Sequence, residues 1–371
     1  MFLKSIGLSG YRNYADFELR TDSSVNIFIG PNAQGKTNLL EAIYVLALTK
    51  SHRTHQDKEL VGWDKQQALL QGELDKKYGP IKLQLSISQS GKKAKLNGLE
   101  QKKLSGYVGA MNVVMFAPED LEIVKGAPGI RRRFLDMEIG QVQPSYLYDI
   151  TQYQKILLQR NNFLKTPAAS NSSGSAMLEV WNEQLAGYGV KIIKKRQSFI
   201  EKLQQWAERI HSGITNGHEQ LIIRYAPSLE TSPEEPEAVL LDQFMLKLSK
   251  VKEQEVRRGT TLVGPHRDDL LFYINDKEVQ TFGSQGQQRT TALSLKLAEL
   301  ELIREEVGEY PILLLDDVLS ELDRYRQTQL IETFQDKVQT FITTTGIESV
   351  NLDKISGAAI FQVRSGTVVA E

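Results

Sequence analysis

Gly30-Pro31-Asn32-Ala33-Gln34-Gly35-Lys36-Thr37 fits the pattern Gly-x4-Gly-Lys-Ser/Thr. Each fixed position in it has a physical role. The glycines let the backbone curl so that successive N–H groups point into one concavity, and a helix starting at Lys36 adds its partial positive charge. Lys36 can then reach the β and γ phosphates of a nucleotide, and the Thr37 hydroxyl can ligate Mg²⁺. A second set of groups lies far downstream. Ile312-Leu313-Leu314-Leu315 is an apolar run that ends in Asp316-Asp317, as a buried strand ending in acids would. In such a pair Asp316 would hold the metal, directly or through water. Asp317 would position or deprotonate an attacking water. The chemistry these residues can do is phosphoryl transfer to water. The guanine-reading pattern Asn-Lys-x-Asp is absent, since Asn275-Asp276-Lys277 does not fit it.

Ser284-Gln285-Gly286-Gln287-Gln288-Arg289 precedes a helix, about two dozen residues before the acidic strand. It resembles the Ser-x-Gly-x-Gln signature of ABC ATPases, in which a Ser hydroxyl, a glycine and a helix N-terminus together sense a γ-phosphate. The resemblance implies that Ser284, with Gly286 and Gln287, acts across a dimer on nucleotide held by the other copy. Ser320-Glu321-Leu322-Asp323 stands at the place of the ABC D-loop. Thr343-Thr344-Thr345 ends the next apolar strand, where those ATPases carry a switch histidine that this chain lacks; plain β-propensity also explains the threonines. Met115-Phe116-Ala117-Pro118-Glu119-Asp120 occupies a plausible Q-loop position, with an acid instead of Gln.

The elements that must position these groups are legible. Val25–Ile29 is a compact β-branched run suited to a buried strand, and Lys36–Leu48 a helix with Leu39, Leu40, Ile43, Leu46 and Ala47 at helical spacing. Short strands are expected at residues 2–8 and 17–19 around a turn at 10–13, at 81–88 by strict alternation, and at Val113–Phe116. Asn97-Gly98 marks a hairpin with a type I′ turn. From about Leu121 the texture becomes helical, over 131–164, 176–214 and 244–257, with loops at 166–175 and 227–237. Strands return at 270–274 and 278–281 around Asn275-Asp276, then a helix at 286–306, a strand at 312–315, a helix at Arg324–Phe334 and a strand at Thr340–Thr344. The reading is an α/β fold: an ABC-type P-loop ATPase head in a discontinuous domain, 1–120 plus 260–371, with a mostly helical lobe inserted at 121–259.

The chain has 371 residues, with 45 Lys+Arg against 46 Asp+Glu and no cysteine. Disulfides, Cys-ligated zinc, iron–sulfur clusters and thiol catalysis are thereby excluded. A net charge of -1 means that any nucleic-acid contact must come from local patches. Candidates are Lys92-Lys93-Lys95 with Lys102-Lys103 around one hairpin, Arg131-Arg132-Arg133, Lys191-Lys194-Lys195-Arg196 and Arg257-Arg258; each is also readable as ordinary solvated surface. No apolar run approaches the roughly 20 residues that span a bilayer, so a cytoplasmic protein is expected. Trp181, Leu185, Tyr188, Ile192 and Ile193 have helical spacing and are read as core.

The motifs in their order resemble the RecF family of bacterial replication and repair proteins. The resemblance rests on Leu8-Ser9-Gly10-Tyr11-Arg12-Asn13-Tyr14, the Gly30-to-Thr37 loop, Phe116-Ala117-Pro118-Glu119-Asp120-Leu121, Gly129-Ile130-Arg131-Arg132-Arg133-Phe134-Leu135-Asp136, Gly264-Pro265-His266-Arg267-Asp268-Asp269, residues 284–289 and residues 313–323. RecF proteins are themselves similar to the head domains of the SMC class of ABC ATPases. The resemblance implies ATP and Mg²⁺ as cofactors, an ATP-dependent homodimer, binding of double-stranded or gapped DNA, and weak ATP hydrolysis. It also implies repair of single-stranded gaps and stalled forks with RecR and RecO, help in loading RecA, and a link to the SOS response. Having Asp317 where many ABC ATPases have Glu agrees with slow turnover. The competing reading is the nucleotide-binding subunit of an ABC transporter. The stretch of about 245 residues between Thr37 and Ser284 is larger than such a subunit needs.

Overall fold

The computed structural model describes residues 1–335, 337–346 and 357–371. The chain begins with strands β1 (Phe2–Tyr11), β2 (Tyr14–Arg20) and β3 (Val25–Ile29), then helix α1 (Lys36–Leu48) and strands β4 (Gln67–Lys76), β5 (Gly79–Ser88), β6 (Gly91–Leu96), β7 (Leu99–Glu100) and β8 (Val113–Phe116). Helices α2 (Leu121–Lys125), α3 (Pro128–Val142), α4 (Pro144–Leu164) and α5 (Ser172–Ile214) follow, then β9 (Leu221–Ala226) and α6 (Glu237–Arg258). The last part holds β10 (Asp269–Ile274), β11 (Lys277–Glu278), α7 (Val279–Phe282), α8 (Gln285–Val307), β12 (Ile312–Asp316), α9 (Val318–Glu321), α10 (Arg324–Phe334), β13 (Thr340–Thr344), β14 (Ala359–Arg364) and β15 (Thr367–Ala370).

These elements form two compact units, the first of Met1–Leu121, Gly213–Gly217 and Ala292–Glu371, the second of Glu122–Ser212 and His218–Thr291. In the first, β2-β1-β4-β5-β6-β7 make an antiparallel sheet, and β15-β14-β3-β13-β12-β8 make a second sheet that is parallel except for β15 at its edge. Helix α1 touches β1, β4 and β5 of one sheet and β8, β12 and β13 of the other. This explains its sequence: a helix covered on all sides carries no polar stripe, and Leu39, Leu40, Ala42, Ile43, Val45 and Leu46 are all fully buried. Strands β3, β12 and β13 are buried along their whole length, as parallel strands covered on both faces must be.

The second unit packs helices with a three-stranded sheet, β11-β10-β9. Its core joins α5 and α6 through Ala186, Val190, Ile193, Leu240, Phe244 and Leu248. Buried arginines are paired inside it. Arg160 meets Glu255 at 2.6 Å and the Thr261 hydroxyl at 2.7 Å. Arg196 meets Asp136 at 2.8 Å and the Pro265 carbonyl at 2.7 Å. Stripping either partner from such a pair would leave an uncompensated charge in a low-dielectric interior.

The structure departs from the sequence expectations in identifiable places. Strands β4, β9, β14 and β15 were not anticipated. Residues 166–175 are not a simple loop, because α5 begins at Ser172; residues 279–281 are helical rather than a return strand. The compact units also divide the chain differently from the expected 1–120, 121–259 and 260–371. Residues 260–291 fall in the second unit because β10 hydrogen-bonds along β9, from Asp269–Ala226 to Ile274–Leu221.

Candidate nucleotide site

The loop after β3 turns on two left-handed residues, Ala33 (φ 65°) and Gly35 (φ 112°). Gly35 is required twice over. Its φ disfavours side chains, and a Cβ there would lie 2.5 Å from the Asn13 amide nitrogen. A Cβ at Gly30 would lie 2.4 Å from the Val363 carbonyl oxygen of β14. The loop is held from outside by neighbours. Asn13 donates to the Gln34 carbonyl at 3.2 Å, Tyr14 donates to the Gly35 carbonyl at 3.0 Å, and the Ser365 and Gly366 N–H groups bond Gln34. The last-named contact depends on the β14–β15 turn.

Strand order then sets the chemistry. Strand β13 lies between β3 and β12, with Thr343 level with Asp316 on one side and with Phe28 on the other. Ligands in parallel α/β sheets bind beyond these carboxyl ends. Asp316 Oδ1 accepts from the Thr37 hydroxyl at 3.0 Å and from the Thr343 hydroxyl at 2.7 Å, while the Thr343 hydroxyl accepts from the Asp317 N–H at 3.0 Å. Burial pushes the Asp316 carboxyl above its ordinary range; the two threonine hydroxyls oppose this, and the Glu119 carboxylate adds to it. Lys36 bridges the Gly30 carbonyl at 2.5 Å and the Pro31 carbonyl at 2.8 Å. Burial lowers its pKa, and Asp317 and Asp316 pull it back up. Asp317 itself is left-handed (φ 54°) and its carboxylate accepts from the Ser320 hydroxyl at 3.0 Å.

Gly30, Pro31, Asn32, Ala33, Gln34, Gly35, Lys36, Thr37, Asp316 and Asp317 therefore belong to one unit, with Thr37 and Asp316 in direct contact. Ser284, Gly286 and Gln287 belong to the other. There Ser284 caps α8: its Oγ accepts from the Gln287 N–H at 3.2 Å, and its own N–H donates to Gln287 Oε1 at 3.0 Å. This reciprocal capping box leaves Ser284 exposed. Gln287 also donates to Glu219 at 2.9 Å.

Two supporting groups were missed by the motif reading. Glu41 on α1 is fully buried and accepts from Arg12 through both oxygens, at 2.8 and 2.9 Å, and from Ser51 at 2.5 Å. Arg53 reaches Asn38, which in turn donates to Asn13 at 2.8 Å. A glutamate at a core position of an apolar helix was the available signal, since a buried carboxylate needs a charged partner.

The expected basic clusters separate. Lys92 is drawn to Asp57 at 2.6 Å and to the Thr49 carbonyl, on the strand face of the buried Ala94. Lys93 and Lys95 alternate to the other face, so the hairpin lysines do not share one surface. Arg131 forks onto Asp269 at 2.7 and 2.9 Å, and Arg132 donates to the Asp268 carbonyl. Arg196 is buried, Lys195 pairs with Asp149, and Lys194 holds two loop carbonyls. Arg257 and Arg258 stay exposed at the end of α6. His266 accepts from Tyr153 at 2.6 Å and donates to the Thr261 carbonyl at 3.2 Å. Among the helix residues read as core, Leu185, Ile192 and Ile193 are fully buried and Trp181 packs on Phe163.

The fold and the site define an ABC-type P-loop ATPase head, and residues 2–367 match the family model described as the RecF/RecN/SMC N-terminal domain. SMC heads share the fold, at TM-score 0.56 and 14% identity. The DNA replication and repair protein RecF of Bacillus subtilis is 54% identical over 369 residues, covering 100% of both chains, and that of Bacillus cytotoxicus is 56% identical over 371 residues, covering 100% of this chain and 99% of its own. A solved recombination mediator protein RecF with ATP, from the RecFOR pathway, superposes with TM-score 0.92 at 36% identity, covering 100% of this chain and 97% of its own. The chain belongs to the RecF family of DNA replication and repair proteins.

Proposed function

We propose that this chain binds ATP with Mg²⁺ at the Gly30-to-Thr37 loop, pairs with a second copy when it does so, and thereby holds DNA during repair of single-stranded gaps and stalled forks. The observation that carries this reading is the contact of Thr37 with Asp316, backed by Thr343, beside the buried Lys36 ammonium. A hydroxyl and a carboxylate oxygen 3.0 Å apart suit a cation that takes few protein ligands and fills its shell from phosphate and water, as Mg²⁺ does. Among the described residues no cluster of three His, Cys, Asp or Glu could hold a metal on its own. Thr37 and Asp316 would hold Mg²⁺, which when bound would supply positive charge against the charge developing on the phosphates.

The protein groups then have separable roles. The loop N–H groups and the α1 N-terminus bind the phosphates. Lys36 would exchange its two carbonyl partners for phosphate oxygens, remaining an ammonium under the pull of Asp317 and Asp316. Asp317 would orient or deprotonate the attacking water. Its side chain is one methylene shorter than a glutamate, which supports slow hydrolysis. Ser284 is exposed and its Oγ accepts from the Gln287 N–H. The hydroxyl proton is thus left to donate to a γ-phosphate carried by the partner copy, with Gly286 and Gln287 completing that surface.

Kinship with RecF proteins supports stimulation of this weak ATPase by DNA, cooperation with RecR and RecO, help in loading RecA, a link to the SOS response and a place in the cytoplasm. The transporter reading is not favoured, because the relatives match along the whole chain, including the segment between the motifs. Among the described residues no helix is long and apolar enough to cross a membrane. The test is molecular size and DNA retention with and without ATP, for the wild type and Lys36→Ala. Dimerisation and retention that require both ATP and Lys36 are expected. A Lys36→Ala protein that still dimerises normally with ATP would overturn the reading.

A further inference from the structure

Arg132 and Arg267 stand apart from the buried arginines of the second unit. Arg131 is paired with Asp269, Arg160 with Glu255 and Arg196 with Asp136. Arg132 and Arg267 are held by neutral oxygens instead. Arg132 Nη1 donates to the Asp268 carbonyl at 2.8 Å. Arg267 donates to the Thr261 carbonyl from Nη2 at 2.7 Å and from Nε at 3.1 Å, and to the Thr260 hydroxyl at 3.3 Å. Among the described residues neither forms an ion pair. Each guanidinium is thus fixed in place, while its charge and some of its five N–H donors stay unspent.

The acids nearby are already committed. Asp269 accepts from Arg131 through both oxygens, at 2.7 and 2.9 Å, and Asp136 accepts from Arg196 at 2.8 Å. Asp268 takes the Tyr225 hydroxyl and the Ser228 N–H. The surroundings are therefore short of negative charge, and two groups register it. Burial and then the Arg196 guanidinium lower the Arg132 pKa, against the pull of Asp269, Asp268 and Asp136. Burial holds His266 down to about 4, and Arg267 and Arg132 push the same way. Both guanidiniums thus lie within electrostatic reach of one neutral imidazole, which adds no charge of its own. Cations that are held rigid but left uncompensated are preorganised for an anion.

We propose that Arg132 and Arg267 form a phosphate-binding site for the backbone of DNA. Arginine suits the task, because its planar fork can meet two phosphate oxygens at once. Arg267 and Gly129 are exposed, and Arg132 Nη2 lies 3.9 Å from where a Cβ at Gly129 would stand. A phosphate can therefore approach that edge of the guanidinium over bare backbone. Contacts of this kind position a duplex and carry no sequence information. The inference rests on the reading of the chain as a protein that holds DNA, and it names where the phosphates meet it.

The experiment measures binding of a fluorescent DNA duplex to the full chain with ATP and Mg²⁺ over a range of salt concentrations. Each lost phosphate contact makes the slope of log affinity against log salt shallower by about 0.9. Arg267→Gln should show one such step and Arg132→Gln with Arg267→Gln about two, with affinity weakened roughly tenfold per residue. Thermal melts supply a second readout. Neither substitution strands a carboxylate, so the unfolding midpoint should stay near wild type, whereas Arg131→Gln strands Asp269 and should lower it. A salt slope unchanged in both variants would overturn the proposal and leave the pair to an acidic protein segment. A midpoint falling as far as that of Arg131→Gln would also overturn it, by making the two arginines structural. If the wild type shows no salt-dependent binding of the duplex, the DNA-holding reading itself fails and the site falls with it.

Discussion

Thr343→Val is the most informative single substitution in the site. Valine has nearly the shape of threonine and keeps the β-branched fit to β13. It removes one hydroxyl that donates to Asp316 at 2.7 Å and accepts from the Asp317 N–H at 3.0 Å. The second loss is softened, because the Asp317 N–H also has the Thr343 carbonyl at 3.3 Å. The first is not, since Asp316 is almost fully buried and, among the described residues, keeps only the Thr37 hydroxyl at 3.0 Å. A hydrogen bond to a buried charge contributes about 1.5 to 3 kcal/mol. Without it the Asp316 carboxyl, already pushed up by burial, moves further up and becomes a poorer metal ligand. At about 1.4 kcal/mol per tenfold, the Mg²⁺ concentration for half-maximal ATP hydrolysis should rise roughly 10- to 100-fold. Thr343→Ser, which keeps the hydroxyl, should stay close to wild type. A Mg²⁺ titration of hydrolysis in the three proteins decides the matter. An unchanged midpoint in Thr343→Val would refute the idea that this hydroxyl holds the metal carboxylate in its charged form.

Three further outcomes follow from the same geometry. Glu41→Gln should lower the thermal unfolding midpoint by several degrees, because it strands the Arg12 guanidinium that Glu41 now pairs through both oxygens; a midpoint equal to wild type would show the pair to be dispensable. Burial holds His266 down to about 4, so the unfolded chain takes up its proton near pH 6.5 while the folded chain stays neutral. Stability should therefore fall as pH drops from about 6.5 toward 4, by up to about 3 kcal/mol. Denaturant melts of wild type and His266→Gln over that range should show a shallower loss in the variant, and parallel curves would dismiss the assignment. Ser284→Ala should lose ATP-dependent dimerisation while one copy still binds ATP, as read by light scattering beside a binding titration; an undiminished dimer would remove Ser284 from the interface.

The sequence was most informative where one local rule decides the outcome. Strand β3, helix α1 and strand β13 begin and end where hydrophobic pattern placed them, because each is buried on all sides and tolerates no interruption. Thr37 and Asp316 are 279 residues apart, and their motifs were enough to predict that they meet. Strand β4 was missed although Ala68, Leu70 and Leu74 alternate inward. Gly72 interrupts that alternation of side chains, and its place is explained only by the Leu46 and Leu3 side chains crowding it. Strands β9 and β14 are short and take their register from β10 and β3, distant in sequence, so local pattern could not select them, and β15 only follows β14 across a tight turn. Thr343 was visible but ambiguous, since β-propensity explains a threonine run as well as a metal-site hydroxyl does. Only the order β3-β13-β12 gives it a role. The arginine clusters show the converse limit. Arg196 reads as surface charge in one dimension and Arg131 as either surface charge or a partner of acids; in three they are consumed by Asp136 and Asp269.

The central claim is that each ATP site is completed by two copies, with Lys36 from one and Ser284 from the other. Mixing Lys36→Ala with Ser284→Ala tests it most directly. Each variant alone should be inactive. In a mixed dimer one site unites the intact Lys36 of the second variant with the intact Ser284 of the first. Since neither variant pairs with itself on ATP, the dimers that form are mixed and each has one sound site, so an equimolar mixture should recover hydrolysis, up to about half of the wild-type rate. If hydrolysis in the mixture stays at the level of the separate variants, each copy works on its own nucleotide and the account is wrong.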